Sequence, residues 1–128
     1  MTQKTASIEL IREISVDTDM IIDQVTTALE GGSNYWYLLK EMPGISEDKS
    51  IPLSERIANA VLFDQAEIPV YDIQDEDELL GKLTLSGIEK ALKEMPINVF
   101  MEIITEAGDA ETADVFLQFA VMGEITFS

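Results

Sequence analysis

Asp109-Ala110-Glu111-Thr112-Ala113-Asp114-Val115-Phe116-Leu117-Gln118-Phe119-Ala120-Val121-Met122-Gly123 is the stretch on which the fold turns. Asp109 has the chemistry of a helix N-cap, and Gly123 accepts the left-handed conformation that closes a helix. Between them Ala113, Phe116, Leu117, Ala120 and Val121 form one apolar stripe, and Val115, Phe119 and Met122 form a second. A helix that is apolar nearly all round is either sandwiched inside a fold or shared between subunits, and a 128-residue monomer has little thickness to surround one. Two readings follow: a buried central helix, or a homodimer through the 110–122 helix with Phe119 at the contact. Gln118 is nearly alone as a polar group there, and a buried amide without partners costs about 1–3 kcal/mol. Its side chain is therefore expected to bond to backbone or to a subunit partner.

Upstream, Leu85, Ile88, Leu92 and Met95 recur at helical spacing after the capping residue Thr84 and stop at Pro96. Ile97 to Glu106 forms a further helix, ended by Gly108. Glu67 to Ile73 and Leu79 to Leu83 read as the two strands of a hairpin around an acidic turn, Gln74 to Glu78. Ile57, Ala58, Val61 and Leu62 form the stripe of a helix that begins near Pro52. Ile21, Ile22, Val25, Ala28 and Leu29 form that of a helix capped at Asp17 or Thr18 and stopped by Gly31-Gly32. Ser7 to Val16 alternates like a half-buried strand, and Glu124 to Phe127 reads as a short terminal strand. Strands and helices do not alternate regularly, so the expected class is α+β. The chain reads as a single compact domain over residues 1–128, with a small antiparallel or mixed sheet packed with about five helices.

The net charge is −17, from 25 acids and 8 bases, on a chain that is 46% hydrophobic. That much apolar surface offsets chain entropy and argues against disorder, while the surface carries one sign. With no Cys and no His, the chain lacks a thiolate nucleophile, a group that titrates near neutrality and the usual nitrogen and sulfur metal ligands. No cofactor and no catalytic residue is expected. Direct nucleic-acid binding is disfavoured, because that affinity comes from Lys and Arg displacing counterions. No apolar run approaches the roughly 20 residues that span a bilayer, and the first residues lack a signal-peptide pattern, so a cytoplasmic protein without a membrane partner is expected.

Three features carry candidate contacts. Tyr35-Trp36-Tyr37 follows two glycines and two turn formers; if extended, Tyr35 and Tyr37 share one face and Trp36 the other, leaving one set partly exposed for a partner. The alternative is a corner packed with rings whose polar tips reach the surface. Asp72 and Gln74 to Glu78, with Asp75, Glu76, Asp77 and Glu78 consecutive, resemble a hard-cation loop but lack the glycine of an EF-hand turn. A solvated acidic turn is the favoured reading over a Mg²⁺ or Ca²⁺ site. The charge is also uneven: residues 1–64 carry 11 acids and 5 bases, and residues 65–128 carry 14 and 3. A rigid scaffold with that field can compete for a basic cleft, including one that normally holds DNA or RNA, with salt-sensitive association.

The segment Ala28-Leu29-Glu30-Gly31-Gly32-Ser33-Asn34-Tyr35-Trp36, containing EGGxxYW, and the segment Asp109 to Ile125, containing LQxxxxGE, carry a resemblance. Together they resemble small acidic proteins of unknown function encoded by bacteriophages, prophages and other mobile elements. The resemblance implies a genomic context, and by analogy a host-directed inhibitor, but assigns no catalytic residue. The expected function is a non-enzymatic protein-binding module of the phage or mobile-element type. The contact candidates are Tyr35, Trp36, Tyr37, Asp75, Glu76, Asp77, Glu78 and Phe119; the alternatives are a structural homodimer and an acidic mimic of nucleic acid.

Overall fold

Among the described residues, helical periodicity becomes five α-helices: α1 (Thr18–Thr27), α2 (Leu53–Phe63), α3 (Leu85–Glu94), α4 (Ile97–Ile104) and α5 (Ala110–Met122). Three strands, β1 (Tyr37–Leu38), β2 (Ile68–Asp72) and β3 (Asp75–Leu83), pair antiparallel in the order β1-β2-β3. The computed structural model describes residues 7–8 and 13–128. The architecture is α+β, one compact domain.

The helix ends follow local chemistry. The Asp109 carboxylate accepts from the backbone N–H of Glu111 and Thr112, and the Thr112 hydroxyl accepts from the Asp109 N–H, a reciprocal capping box. These bonds to the charged form hold the Asp109 carboxyl below its ordinary range, the Thr112 backbone bond most of all. Thr84 caps α3 through Gly87 N–H, Asp17 caps α1 through Asp19 N–H, and Gly123 closes α5 at φ 79°.

The core is built around α5, which packs against α1, α3, α4, β3 and the turn that follows α1. Ala113, Phe116, Leu117, Ala120 and Val121 are all buried, whereas Val115, Phe119 and Met122 are half-buried. The thickness expected to be lacking comes from backbone approach. A Cβ on Gly81 would lie 2.2 Å from the Val121 carbonyl oxygen, and one on Gly87 2.4 Å from that of Ala120. With side chains absent at these two positions, β3 and α3 close directly onto the helix. The fold itself thus supplies partners for most of α5.

Five expectations are corrected. Residues 9–12 of the expected first strand lie outside the described residues; Ile8 and the residues from Glu13 to Val16 form no strand, and Ile8 and Ile14 are exposed. Alternating parity needs a sheet to bury one face, and residues 13–16 pair with none of the three strands; Val16 instead packs on the core. The terminal strand at 124–127 is also absent. The acidic stretch is mostly strand: β3 begins at Asp75, Ile73 and Gln74 make the hairpin turn, and register shifts beside Tyr71 accommodate the added residues.

The helix stop at Gly31-Gly32 works differently from the expectation. α1 ends at Thr27 and widens into a π-helical turn, Ala28–Gly32, in which neither glycine takes a positive φ. Gly32 is required for space, because a Cβ there would sit 2.4 Å from the Ala110 carbonyl oxygen. Likewise α4 ends at Ile104, and Glu106, not Gly108, takes the left-handed conformation at φ 57°.

Candidate functional site

Asp114 lies one turn into α5, on the helix face that meets the π-helical turn, and its carboxylate is buried. Removing an ionised carboxylate from water is costly unless its lone pairs are filled. Here Oδ1 accepts from Ser33 Oγ at 2.7 Å and from Trp36 Nε1 at 2.7 Å. Oδ2 accepts from Tyr35 OH at 2.5 Å and from Gln118 Nε2 at 3.2 Å. All four donors are neutral, so the negative charge is held by dipoles. Ser33 and Trp36 are themselves buried.

Gln118 is one helical turn further along and continues the network. Its Oε1 accepts from the backbone N–H of Thr126 at 2.8 Å and of Phe127 at 2.9 Å, and its Nε2 donates to the Phe127 carbonyl at 3.0 Å. The amide orientation is fixed by chemistry, because one end faces two N–H donors and the other faces a carboxylate and a carbonyl. The expectation of backbone partners for Gln118 is met. The amide alone takes up the backbone groups of residues 126–127, and neither residue joins the sheet. The Phe127 ring stacks on Trp36 with centroids 5.5 Å apart and planes 9° from parallel.

The EGGxxYW segment is therefore a structural element of this joint. Glu30 accepts from Ser54 Oγ at 2.6 Å at the start of α2, Gly32 admits the backbone of α5, and Ser33, Tyr35 and Trp36 supply three of the four donors to Asp114. The Tyr37 hydroxyl donates to the Leu29 carbonyl; burial, then the charge of Glu30, raises its pKa. The Tyr35 hydroxyl is pushed up to about 12, first by burial of the group and then by its hydrogen bond to Asp114 and that residue's charge. The ring itself remains 44% exposed.

The candidate contact residues are distributed as follows. Trp36 is 1% exposed and so is closed to a partner in this conformation, Tyr37 is half-buried, and Tyr35 is exposed. Asp75, Glu76, Asp77 and Glu78 are all exposed along β3, an outer strand of the sheet. Phe119 is half-buried and lines an open groove of about 430 Å³ together with Lys82, Lys90 and Met122. Tyr35-Trp36-Tyr37 and the acidic strand do not form one site. Among the described residues, no group of three or more acids converges as a metal ion would need.

Asp114, Ser33 and Phe127 are the members of the joint that sequence reasoning passed over. The signal for Asp114 was present: an acid on the apolar stripe, four residues before the lone amide Gln118, shares that amide's helix face.

No family model, curated protein or solved structure matches the chain. No helix among the described residues is long and apolar enough to cross a membrane.

Proposed function

We propose that the chain is a non-enzymatic, cytoplasmic protein-binding module of the phage or mobile-element type, and that it engages a basic protein surface through its acidic outer strand. The observation that carries this reading is the exposure of Asp75, Glu76, Asp77 and Glu78 as consecutive residues of β3. Asp75 pairs with Asp72 and the register shifts before Leu79, so Glu76, Asp77 and Glu78 lie in a bulged part of β3 and all four carboxylates stand in solvent. Like charges held in this way repel one another in the free protein, and a partner presenting Lys and Arg relieves that repulsion. The rest of the surface adds to the field, with a net charge of −17. Association with such a partner is steered over distances near the Debye length and weakens as salt rises. A cleft that otherwise holds nucleic acid has the required sign.

Retention of a defined protein from bacterial lysate tests this reading. The wild-type chain is expected to hold a partner at low salt and release it at high salt. A variant carrying Asp75→Asn, Glu76→Gln, Asp77→Asn and Glu78→Gln is expected to lose it at both. Capture that is indifferent to these four substitutions, or nothing above background, would contradict the assignment.

A further inference from the structure

Glu30 is the one charged residue of the EGGxxYW segment, and it lines a cleft of about 260 Å³ between the π-helical turn, β1 and the start of α2. The walls of the cleft are aliphatic: Leu29 and Ile57 are buried, Leu39 is half-buried and Leu53 is exposed. Its polar lining is Glu30, Tyr37 and Ser54, and the hydroxyl protons among these are already committed. Ser54 gives its proton to Glu30 Oε1 at 2.6 Å, and Tyr37 gives its own to the Leu29 carbonyl. What the three side chains still offer is lone pairs, on the second carboxylate oxygen of Glu30 and on the oxygens of Tyr37 and Ser54. The raised pKa of Tyr37, due first to burial and then to the charge of Glu30, puts that carboxylate within electrostatic reach of the phenol. The two bases adjacent in sequence to the lining residues are turned to other partners. Lys40 lies over the Tyr71 ring at 4.1 Å, and Arg56 donates to the Ile51 and Ser46 carbonyls.

A carboxylate beside apolar walls, with no free side-chain donor among its neighbours, complements a cation carried on a hydrocarbon chain. We propose that this cleft is a binding site for a primary alkylammonium group, its chain against Leu29, Leu39, Leu53 and Ile57 and its head on Glu30. An ammonium brings three donors and no acceptor, which suits a lining whose three polar side chains have only lone pairs to give. The net charge of −17 draws every cation toward the protein; the hydrocarbon beside the carboxylate is what selects this kind. A free amine and a lysine side chain share the chemistry. The site is independent of the acidic-strand reading, since Tyr37 lies in β1, at the edge of the sheet opposite β3.

The methyl resonances of Leu29 and Ile57, followed by NMR at fixed ionic strength, test the site with n-butylammonium chloride as the probe. Saturable shifts are expected with a Kd of about 1–10 mM, a range open to so small a ligand. Ammonium chloride, which has the head alone, and n-butanol, which has the chain alone, are expected to bind at least about tenfold more weakly. Glu30→Gln keeps an amide oxygen for Ser54 and is expected to weaken n-butylammonium at least about tenfold. Leu53→Ser changes an exposed wall of the cleft and is expected to weaken it about threefold. N-acetyl-lysine-N-methylamide separates the two sources. An affinity within about threefold of n-butylammonium assigns the cleft to a lysine side chain of a partner protein, and a clearly weaker one assigns it to a free amine. Equal shifts with ammonium and n-butylammonium, or shifts that survive both substitutions, would overturn the proposal, because the general negative field would then account for them.

Discussion

Asp114 and the run Asp75 to Glu78 place the same functional group in opposite surroundings. At Asp114 one carboxylate is withdrawn from water and receives four neutral donors, three from the distant segment 33–36 and one from its own helix; on β3 four carboxylates stand in solvent beside one another. The first organises the fold and is unavailable to a partner. The second contributes little to the fold and is free to meet one. The contrast shows that acidic groups sit in two separate environments in this chain, and that the total charge by itself describes neither.

The largest effect that would sharpen this contrast is at the buried group. Asp114→Ala leaves Ser33, Tyr35, Trp36 and Gln118 without their common acceptor. The expected loss is about 4 kcal/mol of unfolding free energy, read as a lower urea midpoint, since each stranded buried donor carries a penalty. A loss below about 1 kcal/mol would show that water replaces the carboxylate without cost.

Next in size is a pair of neighbouring glycines. Gly32→Ala drives a methyl into the Ala110 carbonyl and is expected to cost about 1–3 kcal/mol, as overpacking does. At Gly31 nothing lies within 4 Å of the added carbon and φ is not positive, so Gly31→Ala is expected to be neutral or stabilising by about 0.5 kcal/mol. Equal thermal midpoints for the two variants would remove the close approach from the account.

Alkaline pH probes the rim of the buried site. The fold favours the neutral form of Tyr35, whose hydroxyl is raised from 10.0 to about 12. Its contribution to stability is therefore whole below pH 10 and is lost as pH rises through about 12. Tyr37 and Tyr71 are also raised, the first by burial and then Glu30, the second by its hydrogen bond to Glu41. Absorbance titration should show a phenol ionising near 12 that disappears in Tyr35→Phe, and the variant should lose less stability between about pH 10 and 12. Ionisation of all three tyrosines near the ordinary value would contradict the hydrogen bond to Asp114.

The smallest effect belongs to the outer strand. Substituting Asp75, Glu76, Asp77 and Glu78 by their amides is expected to change unfolding free energy by less than about 0.5 kcal/mol per site, in the stabilising direction, by easing like-charge repulsion. A large loss of stability would mean that these acids hold the hairpin.

Much of this fold was legible in the sequence, and for local reasons. The helices announced themselves through apolar spacing and through Asp17, Thr84, Asp109 and Gly123, whose capping chemistry needs only near neighbours. The failures share a different cause. Residues 13–16 and 124–127 alternate like strands, but whether an alternating segment enters a sheet depends on what lies beside it. The tail found a glutamine side chain where a strand was expected. Asp114 was hidden for the same reason, since its donors Ser33, Tyr35 and Trp36 lie about eighty residues away in sequence. The candidate contacts were separable only in part: the acidic run is exposed as its composition suggested, whereas Trp36 is consumed by the interior.

The claim at the centre of this account is that Asp114 joins the segment around Tyr35 and Trp36 to α5 through its carboxylate. A double-mutant cycle on stability between Tyr35→Phe and Asp114→Asn measures that joint most directly, because each change removes one side of a single bond with little loss of volume. The account predicts a coupling of about 1–2 kcal/mol between the two sites. Strict additivity, within about 0.3 kcal/mol, would contradict it.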